Sequence, residues 1–134
     1  MNLYEAFEQE PIIDEAKSFP LSDTASISLR PLTGETSKRA LEKLMEPYSV
    51  RLKAGGHLTD EENKTLNAKF YSQNIIKGWK GLTDREGKEI KFSPAAAEAL
   101  LLDPKMERFF ALIVKIAAEE DQFRAERVEE DAGN

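Results

Sequence analysis

Apolar side chains recur at three- and four-residue spacing in three stretches of this chain and alternate in a fourth. Ala25, Ile27 and Leu29 alternate with Ser26, Ser28 and Arg30, the period of a half-buried strand. Pro31 cannot donate to a ladder, so it ends that strand or places it at an edge. Over 35–53, Ala40, Leu41, Leu44, Met45 and Tyr48 form the stripe of an amphipathic helix. Thr36 or Ser37 supplies its N-cap, Pro47 kinks or ends it near Glu46, and Ala54-Gly55-Gly56 breaks the pattern. Thr59 and Glu62 have the spacing of a capping box. They predict a helix from about Asp60 to about Lys77 whose apolar face carries Leu66, Phe70, Tyr71, Ile75 and Ile76 and continues to Trp79.

Asp84-Arg85-Glu86-Gly87 is a turn sequence, and Leu82, Ile90 and Phe92 around it predict a small hairpin or an ordered loop. Ser93-Pro94 then opens a short helix bearing Ala96, Ala97, Leu100 and Leu101, with Ser as cap and Pro at the first helical position. Asp103-Pro104 repeats that signal before a last helix, from Pro104 to about Arg127, with Met106, Phe109, Phe110, Ile113, Val114, Ala117 and Phe123. The ends are less patterned. Leu3, Tyr4 and Phe7 mark one face of a short helix that Pro11 limits, and residues 1–23 are expected as a partly ordered arm. Acidic residues from Glu119 onward oppose the dipole at a helix C-terminus and predict fraying over 124–134. The expected fold is one domain over 1–134, α+β and predominantly α-helical, with three to four helices and a minor N-terminal β element.

Charge and composition narrow the function classes. The chain has 134 residues, 19 basic and 25 acidic side chains, and a net charge of -6. It has no basic run of the kind that displaces counterions from nucleic acid, so no nucleic-acid partner is expected. Residues 1–11 contain neither Lys nor Arg nor a long apolar block, so no signal peptide is expected. The best apolar run, 109–118, is interrupted by Lys115 and is too short to span a membrane. There is no Cys, hence no disulfide or thiolate chemistry, which suits a reducing cytoplasm.

Candidate chemistry is sparse. His57 is the single histidine and has no Cys or second His as partner for a metal site or a nucleophile–base pair. Gly81 to Lys88 departs from phosphate-loop spacing, with Glu89 where Ser or Thr should stand. Asp84-Arg-Glu-Gly lacks the later ligands of a calcium loop. The sequence therefore predicts no catalytic residue, no metal site and no cofactor. The aromatic residues are the better candidates. Trp79 reads as a structural anchor pinning its loop to the helices, with a partner hot spot as the competing reading. Phe109, Phe110, Ile113 and Val114 are adjacent pairs pointing about 100° apart on a helix, so one face can pack on the domain while another meets a partner or a second copy. Phe123, alone among charges, extends that candidate partner-binding surface.

The stretch from Phe70 to Glu130 resembles the tail assembly chaperones of long-tailed phages. The resemblance is carried by Ile75-Ile76-Lys77-Gly78-Trp79, Gly81-Leu82-Thr83-Asp84, Gly87-Lys88-Glu89-Ile90, Phe92-Ser93-Pro94, the Leu100-Leu101 helix, Asp103-Pro104 and Gln122-Phe123. It implies a non-enzymatic protein that holds the apolar tape measure protein and helps recruit tail tube subunits. Such a protein works in the cytoplasm of the bacterial host and leaves before the virion is finished. Self-association is compatible with it. The alternative is a small acidic protein-binding module, such as an inhibitor that mimics DNA.

Overall fold

The alternation at 25–30 becomes the middle strand of a sheet. The structure, a computed structural model, describes residues 1–127. Strand β2 (Ser26–Leu29) pairs antiparallel with β1 (Lys17–Pro20) on one side and with β3 (Ile76–Lys80) on the other. Ile27 and Leu29 are fully buried while Ser26 and Ser28 are half-buried, as a sheet with one face on the core requires. Phe19, Ile27 and Trp79 face one another across the three strands, and all three are buried. Ahead of the sheet lies α1 (Leu3–Phe7). After β2 come α2 (Glu35–Met45), α3 (Ser49–Lys53) and α4 (Asp60–Phe70), and after β3 come α5 (Pro94–Leu102) and α6 (Glu107–Ala118). The fold is α+β and mostly helical. The core joins the inner sheet face to Phe70, Tyr71 and Ile75, to Ala97 and Leu101 of α5, and to Ile113 and Ala117 of α6.

Local signals account for the starts of α4, of α5 and of the 3₁₀ turn before α6. The Thr59 hydroxyl accepts from the Glu62 amide at 3.1 Å while the Glu62 carboxylate accepts from the Thr59 amide at 3.0 Å. Ser93 Oγ accepts from the Ala96 amide, and Asp103 Oδ1 from the Lys105 amide. Pro47 sits in a 3₁₀ turn, Glu46–Tyr48, that follows α2. Over 82–92 a hairpin forms: Thr83 bridges Glu89, the Ile90 amide donates to the Leu82 carbonyl at 2.8 Å, and Gly87 takes φ 79° at the turn.

Four expectations need correction. First, the helix predicted to reach Lys77 stops at Phe70. One wide, π-helical turn follows over Tyr71–Ile75, and Ile76 begins β3. Ile75 and Ile76 suit either period, and pairing with β2 decides for the strand. The helix end is satisfied by side chains, with Ser72 Oγ donating to the Lys69 carbonyl and Asn74 Nδ2 to that of Phe70. Second, α2 is not capped by its own Thr36 or Ser37. Its N-cap is Gly34. The Asp14 carboxylate arrives from the N-terminal segment and accepts from the Thr36 amide at 2.9 Å and the Thr36 hydroxyl at 2.6 Å. Ser37 instead donates to the buried Pro31 carbonyl.

Third, the stretch 1–23 is not an arm throughout, because Lys17–Pro20 is a strand of the sheet. Fourth, the last helix does not run from Pro104 to Arg127. Pro104–Met106 is a 3₁₀ turn, α6 ends at Ala118, and Glu120–Phe123 forms a further 3₁₀ turn. Acidic residues 119–121 are poor continuations at the negative end of a helix, and the chain breaks there to fold back. The expected frayed tail over 124–134 lies largely outside the described residues. Within them, Arg124 bridges Ile12.

The Thr59–Glu62 cap also carries a pH dependence. Arg51 donates to both Glu62 carboxylate oxygens, at 2.5 and 2.9 Å. The hydrogen bond from Arg51, then that from the Thr59 amide, lower the Glu62 carboxyl from the ordinary 4.5 to about 2. A depressed folded-state value means the contribution is complete above the unfolded value and is lost as pH falls toward the folded one. The thermal midpoint should therefore fall as pH drops from about 4.5 to about 2. In Glu62→Gln that part of the pH slope should vanish, as a melting series across this range would read. An unchanged slope would show that Glu62 contributes nothing to it.

Candidate partner-binding groove

Two aromatic contacts set the geometry beside α6. Phe70 and Tyr71, at the end of α4, meet edge to face with centroids 5.3 Å apart, and Tyr71 meets Phe110 of α6 in the same way at 5.2 Å. Burial pushes the Tyr71 phenol above its ordinary pKa. Helix α5 packs on both α4 and α6, and between those two an open groove of about 570 Å³ remains. Leu101, Pro104, Phe110, Ala111 and Val114 give it an apolar lining. Lys64 and Asn67 line it from α4, Glu107 from the first turn of α6 and Lys115 from the last. Glu107 and Lys115 are eight positions apart, so opposite charges stand about 12 Å from each other along the helix. A partner with apolar side chains and polar flanks fits such a surface.

The structure divides the residues that the sequence offered as a contact surface. Phe110 and Val114 line the groove and are half-buried. Phe109 is half-buried and packs against the core. Ile113 is fully buried and belongs to the core. Phe123 is the larger correction. It is 2% exposed and packs edge to face on Phe19 at 5.4 Å. Residues 11–13 and 123–125 form a clasp: the Ile13 amide donates to the Phe123 carbonyl at 2.8 Å and the Ala125 amide to the Pro11 carbonyl at 2.9 Å. Lys17 Nζ donates to the Gln122 carbonyl and Arg124 to the Glu10 carbonyl. The aromatic ring among charges thus marks a long-range core contact. Lys64 and Asn67, which sequence reasoning missed, belong to the groove because α4 faces α6, a tertiary fact without a local signature.

Trp79 is buried, donates from Nε1 to the Ile90 carbonyl at 2.7 Å and stacks edge to face on Phe92 at 5.0 Å. It ties the 82–92 hairpin to β3. A second polar site lies at Asp14, whose carboxylate meets Arg30 at 3.4 Å. Burial would raise this carboxyl, but the hydrogen bonds from Thr36 and the charge of Arg30 outweigh it and hold it below its ordinary value. This network joins the N-terminal segment to α2. Among the described residues no group of three or more His, Asp or Glu is placed to hold a metal ion. Nor is any helix there long and apolar enough to cross a membrane.

Residues 32–134 match the family described as YdaY prophage protein. The chain belongs to the YdaY prophage protein family. Its origin is therefore phage or prophage. Neither the curated proteins nor the solved structures give a match. The YdaY match includes α2 to α6, β3 and the whole groove, whereas α1, β1 and β2 precede it.

Proposed function

We propose that this YdaY-family chain is a non-enzymatic tail assembly chaperone that binds the tape measure protein in the groove between α4 and α6 and helps recruit tail tube subunits. It acts in the cytoplasm of the bacterial host and is left out of the finished virion. The observation that carries the reading is the groove itself, an apolar surface lined by Phe110, Ala111 and Val114 and flanked by Lys64, Glu107 and Lys115. An extended or helical apolar segment gains by covering that lining, and the net charge of -6 keeps the free chaperone soluble. A phage or prophage origin suits such a client, and the resemblance of 70–130 to tail assembly chaperones points to the same role.

Ala111 is exposed and lines the groove, so Ala111→Glu puts a charge there without disturbing the core. Co-expression with the tape measure protein of the same prophage should co-purify the pair. The variant should weaken it by about tenfold or more, the scale of an unpaired charge facing an apolar contact. Equal recovery with parent and variant, or no recovery with either, would overturn the reading.

A further inference from the structure

We propose that the chain forms a reciprocal dimer in which α1 of each copy lies in the α4/α6 groove of the other. Among the described residues, nothing covers the apolar side chains of helix α1. Leu3, Tyr4 and Phe7 are 64%, 75% and 68% exposed, and none of its residues is buried. Five residues are far too few for a helix to hold itself in water, and its side chains at i, i+1 and i+4 form one apolar ridge. The groove is the complementary concave surface on the same chain, with Phe110 and Val114 only half covered.

The exposed apolar area favours a second copy as the occupant. Residues 1–10 carry Glu5, Glu8 and Glu10 and no basic side chain. Lys64 and Lys115 line the groove from its two helices and give those glutamates two cations, beside Asp103 and Glu107 at the same rim. Covering the exposed parts of Leu3, Tyr4 and Phe7 removes roughly 400 Å² from each arm, on the scale of buried aromatic side chains. With the matching groove surface, one arm stays below the roughly 1,000 Å² that a specific interface needs. Two reciprocal arms reach about 1,500 Å², a standard-sized interface, and the two-fold arrangement closes on itself instead of growing into a chain. The inference rests on the functional reading only in using the same groove. There, the arms act as stand-ins that cover the apolar lining until a client displaces them.

The test is sedimentation equilibrium of the full chain, of Phe7→Glu and of Ala111→Glu over a concentration series, with circular dichroism and melting to verify that both variants fold. The parent should be dimeric, and each variant should raise the dissociation constant about thirtyfold or more, as loss of an anchor residue does. Phe7→Glu keeps an intact groove and Ala111→Glu an intact arm. Mixing the two should therefore restore a heterodimer weaker than the parent dimer and stronger than either variant alone. A monomeric parent, variants that dimerise like the parent, or a mixture that gains nothing would overturn the proposal. Tape measure binding is read separately. Phe7→Glu should retain it, and a parent that dimerises yet binds no client would count against the chaperone reading alone.

Discussion

Trp79→Ala is expected to lower the free energy of unfolding by about 3–5 kcal/mol, the range for large aromatic truncations in cores. Three losses combine. The indole leaves a cavity on the inner face of the sheet, where it stands beside Ile27 in register. The edge-to-face contact with Phe92 disappears, and the Ile90 carbonyl loses the indole N–H. The last two hold the 82–92 hairpin to β3, so its amides should also lose hydrogen-exchange protection. Trp79→Phe keeps most of the volume and the aromatic contact but not the donor. It should cost less, about 1–2 kcal/mol. Denaturant unfolding of the three proteins gives the comparison, and an alanine variant as stable as the parent would mean that Trp79 anchors nothing.

Phe123→Ala should be nearly as damaging, at about 3–4 kcal/mol, and Phe123→Asp worse, since it places an unpaired charge at a site 2% exposed. The ring closes the core over Phe19, and its backbone carbonyl accepts from Ile13. Its loss should loosen both chain ends together, with residues 11–20 losing amide protection along with 120–125. A residue serving only as a partner contact would leave stability untouched. Thermal melting of Phe123→Ala at the parent's midpoint would therefore contradict the buried clasp.

What was legible in the sequence was what local pattern controls. Thr59 with Glu62, Ser93 with Pro94 and Asp103 with Pro104 carry helix starts in a few consecutive residues, and the 25–30 alternation carries β2. Elements whose state depends on distant partners were not legible. Ile75-Ile76 is as compatible with a helix face as with a strand until β2 is alongside. Asp14 caps a helix that begins about twenty residues later, a link that no local capping rule reaches. Phe123 looks like a surface aromatic because its neighbours are acidic, whereas its partners, Phe19 and Ile13, lie over a hundred residues away. The groove was half visible. Adjacent apolar pairs on α6 imply more apolar surface than one packing face uses, which brought out Phe110 and Val114. The same pairing could not say that Ile113 would be spent in the core, or that Lys64 and Asn67 would stand opposite.

As the proposed tail assembly chaperone, the protein would receive an apolar segment of a phage tail protein in the α4/α6 groove. The most direct measurement is an amide NMR titration of the isotope-labelled full chain with purified tape measure protein fragments. Shifts should concentrate at Lys64, Asn67, Phe110, Ala111 and Val114. The 82–92 hairpin and the outer face of β1 should stay silent. Shifts confined to the hairpin, or none at saturating fragment, would contradict binding in the groove.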